Sequence, residues 1–419
     1  MDPASFIYDW NTAGGPVEPA HRPVRLADET LRDGLQSPSV VSPTIEQKLD
    51  LLHLMNSLQI DDVDIGLPGA GPHVAGQVER LAREIVDQKL AIRAYCAART
   101  VAADILPIVE ISQRTGLSIA VAAFIGSSPI RKFAEGWDLG KMVRLTEDAV
   151  RLGVSNGLAV NYVTEDTSRA HPDDLRVLYS AAIQAGATGI CVCDTVGHST
   201  PDGVASLIGF IVDLVRRENP AVEIDWHGHQ DRGLSVVNSI TALRAGAHRV
   251  HACGLGVGER VGNTPMDQLL VNLRLLGWID RDLSHLAEYV RMVSAYTQVP
   301  IPDNYPVLGR DAFRTGTGVH ASAIIKAREK GQEWLADRVY SGVPAGMVGL
   351  RQVIEVGPMC GESNVVCWLT EHGEEPTWEK VQAVFRAAKD SDHTLSEREV
   401  LAVLHALGGH ALPPEPVVV

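Results

Sequence analysis

Residues 189–229 read GICVCDTVGHSTPDGVASLIGFIVDLVRRENPAVEIDWHGH and carry one complete structural unit. Gly189–Asp194 is an apolar run of strand length. Val204, Ile208, Ile211 and Leu214 then recur at helical spacing. Arg216 and Arg217 close that stretch, where cations suit a helix C-terminus. Glu223–His229 returns to strand character and ends on His-Gly-His.

Outward from this unit, the same alternation fills the chain from about residue 24 to 277. Strand-like runs begin at Val24 (VRLADETL), Asp61 (DDVDIGL), Ala91 (AIRAYCA), Ser118 (SIAVAAFI), Asn156 (NGLAVNYV) and His248 (HRVHACGLG), each followed by a helical pattern. Eight strand–helix units predict an α/β fold of the (β/α)8 TIM-barrel type. A doubly wound sheet is the rival, but the first strand lacks the Gly-rich turn of that fold.

The rest of the chain reads differently. Residues 279–298 look helical, and VPIPDNYPVLG holds three prolines and reads as a connector. IIKAREKGQEWLADRV, TWEKVQAVFRAAKD and SEREVLAVLHALGG then predict helices, the last with a capping box at Ser396 and Glu399. The expected organisation is an arm over 1–20, a barrel over 21–278, a linker and subdomain over 279–372, and a small helical subdomain over 373–419. The C-terminal PPEPVVV is expected to be loose or packed as a second arm.

Composition bounds the function. Of 419 residues, 37 are Lys or Arg and 52 are Asp or Glu, giving a formal charge of −15. That balance argues against nucleic-acid or anionic-membrane partners, though a local basic pocket would still take a phosphorylated small ligand. No run approaches the ~18 apolar residues of a membrane span. The N-terminus lacks the cationic and apolar segments of a signal peptide. Six cysteines without a CxxC pair predict reduced, buried thiols in a cytoplasmic protein.

In such a barrel the strand ends and the loops after them form the active face. Arg32, Asp33, Asp64, Glu165, Asp166, Asp194, Thr195, His227, His229 and Asn263 all fall on that rim. His227 and His229, two apart on a strand, point to the same side. With Asp33 and Asn263 from the strands that close the ring, they make a mixed N/O set for Mg²⁺, Mn²⁺ or Zn²⁺. Without the barrel, His-Gly-His is simply two of 15 histidines. Arg32 beside Asp33 suits stabilisation of an oxyanion, or is an ordinary surface ion pair. Glu165-Asp166 suits acid–base work, or favours a helix N-terminus. The Gly-rich stretch over Gly254–Gly262 offers backbone N–H groups to phosphate, with Gly256 and Gly258 at its centre. Its place after the last strand rules out a dinucleotide fingerprint.

Together these motifs resemble those of the metal-dependent barrel enzymes that make or break carbon–carbon bonds beside acyl-CoA thioesters. DETLRDGLQ is similar to that family's DTTLRDG opening, and VDIGLPG to its IEVGFP strand. EDTSR, CDTVGHSTP, HGHQDRGLSVVNS and GLGVGERVGNTPMDQL follow in order. The GERVGN form resembles the 2-isopropylmalate, homocitrate and citramalate synthases. RDGLQ resembles the hydroxymethylglutaryl-CoA lyases, whose Gly-rich loop contains a cysteine that here, as Cys253, precedes the loop.

The resemblance implies a Claisen-type condensation of acetyl-CoA with a 2-oxo acid, followed by thioester hydrolysis. It nominates Thr195 for the substrate carboxylate and Glu165 or His320 as base, with Tyr340 assisting. It places Gly256 and Gly258 near CoA. Ala321-Ser322 stands beside His320 in place of the family's usual polar pair. The region after the barrel would complete the active site of a partner subunit in a homodimer. Tyr95, Phe124, Tyr162 and Val163 are expected to line the pocket, whose apolar character favours 2-oxoisovalerate over a dicarboxylate. The chain stops at Val419, where the long synthases begin a feedback domain, so no such control is expected. The alternatives are a synthase for another 2-oxo acid, a lyase running the reverse direction, and a silent barrel that only binds.

Overall fold

The computed structural model describes residues 6–408, so PPEPVVV lies outside the described residues. Contacts divide the chain into two units, one ending at Pro300 and one beginning at Ile301.

The first unit is a closed barrel of eight parallel strands. These are β1 (Arg25–Asp28), β2 (Asp62–Asp64), β3 (Arg93–Arg99), β4 (Ala120–Gly126), β5 (Val160–Glu165), β6 (Gly189–Asp194), β7 (Glu223–Gly228) and β8 (Arg249–Ala252). The ring closes where β1 pairs with β8, in the register Ala27 with His251 and Asp28 with Ala252. Helices follow the strands as the periodicity predicts: α1 (Ile45–Ser57), α2 (Pro72–Asp87), α3 (Ala102–Thr115), α4 (Pro129–Glu135), α5 (Leu139–Ser155), α6 (Pro172–Gln184), α7 (Pro201–Glu218), α8 (Ser235–Ala245), α9 (Met266–Leu275) and α10 (Leu286–Thr297). The short α4 is an addition between β4 and α5. In α7, Thr200 caps the N-terminus and Pro201 takes the first turn, where its missing N–H costs nothing. Val204, Ile208, Ile211 and Leu214 are all buried.

Residues 279–298 were expected to form one helix. Only Leu286–Thr297 does, and α10 packs with α1 as part of the barrel unit.

Strand alternation decides which residues face the barrel interior. On β5 it sends Tyr162 outward, where its hydroxyl bonds Thr146 of α5 at 2.7 Å. Val163, one residue on, faces inward beside Tyr95 and Ala122. The expectation that both line a pocket therefore fails for Tyr162.

The second unit contains α11 (Gly318–Glu329), α12 (Glu333–Ala336), α13 (Glu362–Glu371), α14 (Trp378–Asp390) and α15 (Glu397–Leu407). A two-stranded sheet, β9 (Arg314–Thr315) with β10 (Val353–Ile354), adds to the expected helices. IIKAREKGQEWLADRV is broken rather than continuous, because Gly331 takes a left-handed φ of 65° after α11. Ser396 and Glu399 form the expected capping box. Val365, Leu369, Val384 and Val400 anchor the core of this unit. Among the described residues no helix is long and apolar enough to cross a membrane. All six cysteines are free.

Candidate active site

A cavity of about 230 Å³ opens at the C-terminal ends of the strands. Its rim gathers Arg32, Asp33, Glu165, Thr195, His227 and His229, drawn from the ends of β1, β5, β6 and β7. One wall is apolar, with Leu67, Ala97, Ala122, Phe124 and Val163. Glu29, Gln36, Cys191, Cys193, His251 and Glu259 complete the lining.

Asp33, His227 and His229 bring potential ligand atoms within 4.8 Å of one another. Asn263 joins them from the loop after β8, donating from Nδ2 to Asp33 Oδ2 at 2.8 Å. An isolated bridge between His229 and Asn263 sets this approach. Two buried atoms of the cluster, His229 Nδ1 and Asn263 Oδ1, have no hydrogen-bond partner. A buried lone pair left unmade is costly, and a hard or borderline divalent cation would satisfy such an N/O set. The residues therefore fit a metal.

The two imidazoles differ in charge. Burial would depress the His227 imidazole, but Glu29 and Asp33 outweigh burial and hold its pKa up at about 9. His229 is pushed down to about 4 by burial and by the neighbouring His227 cation. For Asp33, burial raises the carboxyl, but Arg32 and His227 bring it below its ordinary range.

Arg32 is fixed on two sides. Its Nε donates to Asp64 at 2.7 Å and its Nη1 to Asp33 at 2.9 Å, while Nη2 lies 3.8 Å from Glu29. Asp64 thus positions the guanidinium. Glu165 ends β5 with Arg131 at 3.5 Å. Burial lifts its carboxyl above the ordinary value, against the pull of Arg131. Thr195 Oγ1 accepts from the Asp166 N–H at 2.8 Å, which leaves its own proton to donate.

Other candidates sit elsewhere. Asp166 takes a left-handed φ of 58° and pairs with Arg169. Asp194 accepts from Ser168 and from the backbone of His198 and Ser199, so it holds the loop after β6. Tyr95 is buried inside the barrel with its hydroxyl on Glu29 at 3.1 Å. Gly256 and Gly258 shape the loop that carries Asn263; a Cβ at Gly258 would lie 2.2 Å from Asn263 Nδ2. His320 and Tyr340 belong to the second unit, where their rings stack at 3.9 Å.

Sequence reasoning passed over Glu29 and His251. Both follow from alternation, since inward Ala27 predicts inward Glu29, and inward Arg249 predicts inward His251. Cys191 and Cys193, buried thiols as the composition predicts, also line the cavity.

The model of the HMGL-like family matches residues 23–293. The chain is 31% identical to a probable 2-isopropylmalate synthase of Methanopyrus kandleri, over 88% of this chain and 69% of that one. It is 31% identical to a homocitrate synthase of the same organism, over 87% of each chain. A solved HMG-CoA lyase, described as from Acenitobacter baumannii and in complex with coenzyme A and 3-methylmalate, superposes with a TM-score of 0.55. It is 19% identical and covers 65% of this chain and 90% of that one, a likeness of fold.

Proposed function

Since the chain belongs to the HMGL-like family, with synthases among its relatives, we propose that it condenses acetyl-CoA with a 2-oxo acid bearing an alkyl group, 2-oxoisovalerate being favoured. The observation that carries this reading is one cavity joining the Asp33–His227–His229–Asn263 cluster to an apolar wall.

A divalent cation held by those four residues would supply Lewis-acid polarisation of the keto group. Arg32, immobilised through Asp64, presents Nη2 as its least engaged donor to the oxygen that gains charge as the new bond forms. The Thr195 hydroxyl donates to the substrate carboxylate. Glu165 removes the α-proton of the thioester, its burial making it a stronger base than an exposed carboxylate. His320 and Tyr340 remain the proposed contribution of the second unit, supplied to a partner subunit's site in a homodimer. Gly256 and Gly258 are proposed near the CoA side. A cytoplasmic location accords with the free thiols.

The alkyl preference rests on Leu67, Ala97, Ala122, Phe124 and Val163. Two cations of the lining are already engaged: Arg32 is held by Asp64 and Asp33, and His251 lies between Glu29 and Asp225.

The test is thiol release from acetyl-CoA with a panel of 2-oxo acids, in wild type and Asp33→Ala. Release that requires a branched 2-oxo acid and vanishes in the variant supports the reading. Cleavage of a hydroxyacyl-CoA to acetyl-CoA and a keto product, with no thiol released and no 2-oxo acid consumed, would establish the lyase direction instead.

A further inference from the structure

We propose that Glu29 is a positioning residue that fixes the tautomer of His227 and so confines this barrel mouth to one metal ion. The proposal rests on the reading of the Asp33 cluster as a metal site.

Two groups of potential ligands share His227. One is Asp33, His227 and His229; the other is Glu29, His227 and His251. Hydrogen-bond geometry separates them. In the second group Glu29 Oε2 stands 2.7 Å from His227 Nδ1, and Oε1 stands 2.9 Å from His251 Nδ1. Ligands each about 2.0–2.2 Å from a divalent ion lie about 3 Å or more from one another. Contacts this short are charge-assisted N–H···O bonds with no space for an ion between the partners. His251 is also engaged at its other nitrogen, with Nε2 3.3 Å from Asp225. Carboxylates at both nitrogens leave that ring no lone pair for a metal. Glu29 is further held by the Tyr95 hydroxyl.

The first group is more open. His229 Nε2 and Asp33 Oδ2 stand 3.8 Å apart. Its short contact is the Asn263 Nδ2–H on Asp33 at 2.8 Å, which leaves Asn263 Oδ1, beside it, buried and without a partner, and His229 has no carboxylate on its other nitrogen. The second group is therefore the support of the first. A carboxylate accepts and does not donate, so His227 must place its proton on Nδ1 toward Glu29, which frees Nε2 as ligand.

Glutamine at position 29 would break this arrangement without changing its size. Its single carbonyl oxygen can accept from one imidazole, and its NH₂ then faces the other. When the NH₂ faces His227, that ring must protonate Nε2 and ceases to be a ligand; when it faces His251, His227 keeps its tautomer but loses the carboxylate that makes it a stronger ligand.

The experiment is Mn²⁺ titration of the full chain, counting free ion by electron paramagnetic resonance, in wild type, Asp33→Ala, Glu29→Gln and Glu29→Asp. Glu29→Asp keeps the charge beside His251 but falls one methylene short, and it serves if the glutamine variant does not fold. Expected are one ion per chain in wild type, none in Asp33→Ala, and a Kd raised about 10- to 100-fold in the Glu29 variants. In the Co²⁺-loaded wild type, the Nδ1–H of His227 should give a shifted, slowly exchanging proton resonance that the Glu29 variants lose. An unchanged Kd in folded Glu29 variants, with Asp33→Ala empty, overturns the proposal and leaves the metal site standing. Unchanged binding in Asp33→Ala overturns both. Two ions per chain, one lost with Glu29, would make Glu29 a ligand and overturn the proposal.

Discussion

Gly258 stands where any side chain would collide with Asn263: a Cβ there would lie 2.2 Å from the amide nitrogen that reaches Asp33. Its φ of 152° adds backbone strain for other residues. Gly258→Ala should displace Asn263 while sparing the strands. Mn²⁺ affinity should fall about 10- to 100-fold, as when a supporting group of a metal site is disturbed. An unchanged Kd in the folded variant would mean that Asn263 is not a ligand.

Metal binding should release protons. The His227 imidazole, held up at about 9, carries an extra proton at neutral pH that a ligand nitrogen must shed. His229, pushed down to about 4, is already neutral there. Affinity should therefore climb as pH rises from 6 to about 9 and then level, with about one proton released per ion. Calorimetric titration at pH 7 in buffers of different ionisation heat measures this, and a buffer-independent heat would count against it.

Inside the barrel, Arg249 pairs with Asp225 and stands 3.0 Å from Asp62. Burial raises the Asp225 carboxyl, but Arg249 and His251 outweigh it and hold it well below the usual range. A carboxyl so depressed contributes stability above its unfolded pKa of about 3.9 and loses it as pH falls through the folded value. Arg249→Leu leaves buried Asp225 with only His251 and Asn161, and Asp62 with only Arg93, so it should cost about 3 kcal/mol at pH 7 in urea unfolding. It should also shift the onset of acid unfolding to higher pH.

Under the proposed function the apolar wall sets substrate size. Ala97→Val should add volume beside the alkyl group and favour shorter 2-oxo acids, changing relative kcat/KM by about 10- to 200-fold. Equal loss toward short and branched substrates would place the alkyl group elsewhere.

Much of this was legible in the residues. The barrel followed from repeated strand–helix alternation, and Asp33, His227, His229 and Asn263 came together because strand ends share one rim. Tyr162 was misplaced because aromatic character was read before parity, although Val163 beside it must face the other way. Glu29 and His251 were passed over for a different reason. A charge within a strand looks like an exception until the opposing charge is known, and the partners lie 222 positions apart. The break at Gly331 was visible as a glycine inside a helical pattern, but only its positive φ shows that it ends one helix.

The buried charges have a consequence for assembly. Glu29, one residue past β1, and Asp62 of β2 come from the start of the barrel, and Asp225, Arg249 and His251 from its last strands. Their bonds cross the seam where β8 meets β1, or flank it. A seam slid by two residues would keep every side chain on its proper face yet strand Glu29 and Asp62 away from His251 and Arg249. Hydrocarbon layers alone would tolerate that slip; this ladder of opposite charges does not. The ring thus carries its own alignment key, met only when the two ends of the barrel join in the register that also builds the mouth.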